Sequence, residues 1–306
     1  MTPLKVYVFG VVNCATGKLS AFTYEEQEGA KGGNNVASLL YKQILQEVVA
    51  PPCVAVPSKP IKELNVVMDN CAGQNKNKMV MRLLTVLVKR GICKVANAIF
   101  LAKGHTKNPC DRMFNLLKKG YRKENMYTFK QVLPVLNQNR NVKAIPVTAE
   151  DFLDWDSWEN EFMVRSIREI KLFHLFQVDA SLQDANGMTK RRYDGTSLKA
   201  EWIVKQKYRK SDDWWWSTPK QAPKASISEM KVIDLYHKWR LLVPQQHWGD
   251  SPFFSEPPSL VKMRKKSQEA QKKRKAQEDK NNSNKRQKES GNTAETAPSG
   301  TLDASS

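Results

Sequence analysis

Three residues able to hold ligands or act in catalysis, Asp69, His105 and Asp111, follow the two most apolar runs in the first half of the chain. The first run, Leu64, Val66, Val67 and Met68, stops at Asp69 and Asn70 within the string LNVVMDNCAGQNKNK. A near-continuous apolar run reads as a strand buried on both faces, with Asp69 at its carboxyl end. The second run, 95–102, leads into KGHTKNPCDR, which puts His105 and Asp111 just beyond a second strand. With a right-handed helical crossover between them, both strands open on one side of the sheet. In open α/β sheets that edge is where ligands and catalytic groups collect, so the three side chains are expected to converge. Each also has a plainer reading. Asp69 with Asn70 suits an Asx turn, Asp111 suits a helix start, and a histidine after a strand is commonly a hydrogen-bonded structural residue.

Around these residues lie groups suited to phosphate oxygens. Gln74, Asn75, Lys76, Asn77 and Lys78 combine amides, two lysines and a helix start, and helix starts bind anions through free backbone N–H groups. An amide-rich helix cap is the alternative. Lys103, Thr106, Lys107 and Arg112 surround His105 and Asp111 in the same manner. Further on, residues 188–210 hold eight basic side chains, Arg191 and Arg192 among them, against two acidic ones. They are interleaved with Tyr193, Trp202 and Tyr208 and followed by Trp214, Trp215 and Trp216. Basic charge tracks a nucleic-acid backbone while aromatics stack on exposed bases, although tryptophans at this density also serve as core or interface anchors.

The elements that must position these groups are legible in order. Residues 4–12 alternate, 13–17 supply turn chemistry and 19–24 alternate again, which predicts a hairpin. Val36, Leu40, Ile44 and Val48 recur at helical spacing over 35–49, before Pro51 and Pro52. A second helix is expected over 77–90, stopped by Gly91. A third starts with Asn108 as cap, Pro109 at the first helical position and Asp111 at the third. Residues 128–137 read as a helix interrupted at Pro134, and 142–147 as a short strand. All eight tryptophans lie between Trp155 and Trp248, so this half is expected to form a separate layer. It should hold an acidic helix over 151–161, strands over 170–178, 188–193 and 199–205, and a helix capped by Ser226 and Glu229.

Composition narrows the partners. Fifty Lys and Arg against thirty-one Asp and Glu leave a formal charge of +19 over 306 residues, which points to polyanions, with nucleic acid ahead of anionic membrane. No run of about 18 apolar residues exists to span a bilayer, and no membrane partner is expected. The five cysteines and four histidines show neither disulfide nor zinc-finger spacing, so no structural zinc is expected. Between 261 and 291, twelve Lys or Arg face four Asp or Glu, and folded structure is expected to end near Leu260 in a disordered basic and polar tail. Within it, KKRK at 272–275 and KRQK at 285–288 are of the nuclear-import type.

The strings DNCAGQNKNK and GHTKNPCDR, with GAKGGNNVASLL upstream, resemble a transposon-associated, largely uncharacterised domain family similar to divergent DDE transposases and integrases. The resemblance covers roughly 1–150 and, more weakly, the chain to about 255. It implies an α/β fold: a ribonuclease H-like mixed sheet with flanking helices over 1–149, lacking its first strand. A smaller Trp-rich α+β region over 150–258 and the tail over 259–306 would follow. Enzymes of that fold hold two divalent metals about 4 Å apart on carboxylates, so Asp69 and Asp111 would be ligands for Mg²⁺ or Mn²⁺, a cation that prefers hard oxygen donors. His105 would orient a metal-bound water or a phosphate, and the neighbouring amides and lysines would position the backbone of DNA. The family's first catalytic acid has no counterpart, and Asn13 is a poor substitute for it. The resemblance therefore implies an N-terminally truncated, mobile-element-derived, nuclear protein for metal-dependent phosphodiester cleavage or strand transfer, with a non-catalytic DNA-binding or protein-interaction remnant as the alternative.

Overall fold

A computed structural model describes residues 3–48, 61–102, 108–181, 185–211 and 213–291. The chain opens with the hairpin β1 (Val6–Asn13) and β2 (Lys18–Glu25), antiparallel from Val6↔Glu25 to Asn13↔Lys18. Asn13 builds the turn, its side-chain oxygen accepting from the N–H groups of Ala15 and Thr16, and Gly17 closes it at φ +67°. The parallel strand β5 (Val142–Pro146) lies on the other side of β2, giving the order β1-β2-β5. The period of two sorts the side chains onto two covered faces. Val8, Val12, Leu19, Ala21 and Val142 pack against α3 (Pro109–Tyr121) and α4 (Phe129–Asn137) through Met113, Leu117 and Leu136. Tyr7, Phe9, Phe22 and Tyr24 face Leu39 of α1 (Gly33–Val48) and Phe152.

The second sheet is larger, with the order β3-β4-β6-β7-β8. Its parallel pair, β3 (Ile61–Met68) and β4 (Cys93–Phe100), is joined by α2 (Lys78–Lys89). The antiparallel strands β6 (Leu175–Asp179), β7 (Gly187–Arg191) and β8 (Ser197–Trp202) continue it from β4. Every residue of α2 from Val80 to Val88 is buried, as in a helix packed on all sides. Around it lie α1, the sheet and α5 (Trp155–Phe162), with Trp155, Trp158, Trp214 and Trp215.

The α/β class stands, and three expectations are corrected. The single mixed sheet is two sheets, because among the described residues β1 pairs only with β2 and β3 only with β4. The apolar run ending at Met68 is not buried on both faces. As an edge strand, β3 turns Leu64, Val66 and Met68 toward the core and leaves Val67 49% exposed, with Lys62, Glu63 and Asn65 also exposed, the charged profile that keeps a free edge from pairing. Nor is the Trp-rich half a separate layer, since its strands extend the sheet of β3 and β4 and its tryptophans enter the same core.

Beyond β8, α6 (Glu229–Asp234) is capped by Ser228 rather than Ser226 and runs into π-helical and 3-10 turns. This segment returns to the body through Lys130–Asp250 at 2.9 Å, Lys231–Glu26, and His247 stacked on Tyr127. The tail runs as one helix, α7 (Pro258–Gly291), whose described side chains from Val261 onward are all exposed. Its Lys, Gln, Glu and Ala content favours helix without any packing face. No helix among the described residues is long and apolar enough to cross a membrane.

Candidate functional site

The parallel pairing of β3 with β4 in the register Met68↔Phe100, continued by a bond from the Leu101 N–H to the Met68 carbonyl at 3.1 Å, makes Asp69 and Leu101 leave the sheet side by side. The loop after Asp69 folds around one carbonyl: Cys71 accepts from the N–H groups of Gln74, Asn75 and Lys76 at 3.3, 2.8 and 2.9 Å. That turn lets the Asn75 side-chain amide donate to the exposed Asp69 carboxylate. Asn77 then caps α2, accepting from Met79 and Val80 N–H at 3.0 and 3.1 Å while donating to the Gln74 carbonyl at 2.7 Å.

The two lysines of this loop have separate fates. Lys78 forms an ion pair with Asp156 at 2.6 Å and bonds Asn160 at 3.1 Å. Lys76 is buried, lies 5.2 Å from the centre of the Phe100 ring and donates to the Lys171 carbonyl at 3.1 Å. Burial pulls its ammonium below the ordinary lysine pKa.

Asp111 is set by local chemistry. With Asn108 it forms a reciprocal capping box at the start of α3. That helix packs on β1, where the Cys110 thiol donates to the Gly10 carbonyl at 3.4 Å and a Cβ on Gly10 would meet the Phe114 ring at 2.7 Å. Asp69 and Asp111 thus belong to elements of different sheets, each carboxylate with its own local partner. Among the described residues no group of three or more His, Cys, Asp and Glu side chains could hold a metal ion. Lys103, His105, Thr106 and Lys107 lie outside the described residues. Arg112 is exposed at the start of α3, and Arg191 is exposed at the end of β7.

On the β6 side of this edge stands a histidine that the sequence reading did not select. The Phe100 N–H donates to the His174 carbonyl at 2.7 Å, and the His174 ring stacks on Tyr193 with centroids 3.9 Å apart. The Tyr193 hydroxyl donates back to the Phe100 carbonyl. Burial, followed by the charges of Lys76 and Arg192, lowers the His174 pKa, with Asp194 opposing. The Arg192 guanidinium lies 5.2 Å from the Phe173 ring centre. The signal for His174 was its place in the apolar run 170–178, next to Phe173.

The tryptophan string divides. Trp214 and Trp215 are core residues, 5% and 7% exposed, and Trp216 is 53% exposed. Trp202 keeps an outward face on β8 under the Arg209 guanidinium, 3.8 Å from its ring centre.

A family model described as a domain of unknown function, DUF7869, matches residues 1–195, ending in the turn between β7 and β8. No curated protein and no solved structure matches the chain.

Proposed function

We propose that this chain, which belongs to the DUF7869 family, binds nucleic acid through its charge rather than through base sequence. The observation that carries the reading is the basic helix α7, with twelve Lys or Arg against four Asp or Glu over 261–291, of which the eight between Lys262 and Lys275 are exposed. Exposed Arg112 and Arg191 supply further positive charge on the folded body. Lysines and arginines that displace condensed counterions give an affinity that falls with salt by about one log–log unit per phosphate neutralised. Binding to duplex DNA of unrelated sequences should therefore be equal within a few-fold and steeply salt-dependent. Deleting 261–306 should flatten the slope without abolishing binding. Fluorescence anisotropy across a salt series measures both, and a salt-independent affinity would overturn the reading. The KKRK string at 272–275, exposed on α7, would serve as a nuclear-import address.

The second reading is mobile-element ancestry with metal-dependent phosphodiester cleavage. It is favoured by Asp69 at the carboxyl end of β3 in a parallel pair, the edge where such chemistry is built. The described acids do not assemble a Mg²⁺ or Mn²⁺ donor set by themselves. Asp69→Asn separates the readings. Nicking of supercoiled DNA with Mn²⁺ that disappears in this variant would establish the enzyme, whereas equal DNA binding with no nicking by either protein is the outcome expected of the binding module.

A further inference from the structure

We infer that Lys76, His174 and Arg192 form a binding site for one phosphoryl group beside the carboxyl ends of β3 and β4. The three come from the loop before α2, the residue just before β6 and the residue just after β7, and each lies against a ring: Lys76 on Phe100, Arg192 on Phe173 and His174 on Tyr193, whose hydroxyl bonds the Phe100 carbonyl. Lys76 is buried with its Nζ donating to the Lys171 carbonyl, and an ammonium has three donors to place. His174 Nδ1 and Arg192 Nε are both buried with no hydrogen-bond partner among the described residues. Buried nitrogens of this kind are regularly satisfied by a water or an ion. Asp194, the acid that faces His174, is occupied by the Thr196 N–H at 2.8 Å. Two cations and an imidazole able to take a second proton match a tetrahedral dianion better than a planar carboxylate, and the guanidinium fork suits phosphate oxygens.

The site stands on geometry. It rests on the nucleic-acid reading only for the source of the phosphoryl group, either the end of a strand or free phosphate. The full chain is titrated by calorimetry with inorganic phosphate at constant ionic strength. In parallel, a short single-stranded oligonucleotide is compared with and without its 5′-phosphate. Arg192→Gln and His174→Gln should each weaken inorganic phosphate by about tenfold or more, the loss expected for one charge-assisted bond. The exposed control Lys207→Gln should leave it unchanged. Arg192→Lys, which keeps the charge and loses the fork, should fall between, and it carries the test if Arg192→Gln does not fold. Binding of phosphate should also raise the titration midpoint of the His174 resonance in carbon-13 histidine spectra, because an anion favours the imidazolium. A preference for the 5′-phosphorylated strand that vanishes in Arg192→Gln identifies the strand end as the source, and equal binding of both strands identifies free phosphate. Equal phosphate affinity in Arg192→Gln and Lys207→Gln, or no phosphate binding by the unmodified chain, would overturn the site. The salt-dependent DNA binding of α7 would survive that result, and its loss would leave the phosphate titration standing.

Discussion

Arg82 on α2 and Glu159 on α5 are both 0% exposed and meet at 3.4 Å. The guanidinium also donates to Asn160 at 3.2 Å and to the Val164 carbonyl. One Glu159 oxygen and the Arg82 Nε have no partner among the described residues, so the pair is incompletely satisfied. Burial raises the Glu159 carboxyl well above its ordinary value against the pull of Arg82. Removing one partner leaves a buried charge alone, which costs about 3–5 kcal/mol, so Arg82→Met should lower stability by that order in urea unfolding. Arg82→Met with Glu159→Met should cost less than Arg82→Met alone. The pH dependence has a definite sign. A raised carboxyl pKa means that the folded state holds the proton over a window in which the unfolded chain has lost it. Stability therefore falls as pH rises from about 4.5, the ordinary carboxyl value, through the higher folded value. Arg82→Met should extend that fall to higher pH, and stability curves flat in pH for both proteins would refute the assignment.

At the scale of elements, α2 and α7 are opposites. The first is buried from Val80 to Val88 and depends on tertiary packing, so Leu84→Ala should cost about 2–5 kcal/mol, measurable by thermal or urea unfolding. The second is a helix standing on its own propensity, and such helices are marginal in water. Ala270→Pro in its exposed middle should reduce the far-ultraviolet helical signal while leaving the thermal midpoint of the body unchanged. A midpoint lowered by several degrees would show that α7 packs on the body. The hairpin, the caps of α2 and α3 and the Gly91 stop of α2, at φ +64°, are local devices. Sequence inspection recovered them because each is decided within a few residues.

For the whole molecule, the main core joins α1, α2, β4 and β6 with Trp155, Trp158, Phe162, Trp214 and Trp215. The side chains supplied from beyond residue 150 cover one side of α2, and β6 pairs with β4. A fragment of 1–149 should therefore expose that side of α2 and a free edge of β4. Its expected behaviour is no cooperative thermal transition and aggregation at concentrations where the full chain is soluble. A dispersed amide spectrum and a sharp transition for the fragment would show that the Trp-rich half is separable after all.

The amino-acid sequence by itself determined the order of strands and helices as far as α6, the cap at Asn108 with Pro109 and Asp111, the position of Asp69 at a strand end and the basic character of the tail. Those signals reside in periodicity, backbone preference and charge, which act between near neighbours in the chain. Tertiary structure alone decided that β3 is an edge, that β6 to β8 extend its sheet, that Lys78 pairs with Asp156, and that Trp214 and Trp215 fill a core. It also set Lys76 against Phe100, Arg192 against Phe173 and the His174 ring on Tyr193. The physical reason is the range of the interactions. A run of apolar residues has the same composition whether one face or both are covered, and an aromatic or basic side chain has the same chemistry in a core as at a surface. Strand pairing and burial between residues about a hundred positions apart select among these outcomes, and that choice is made only when the chain closes on itself.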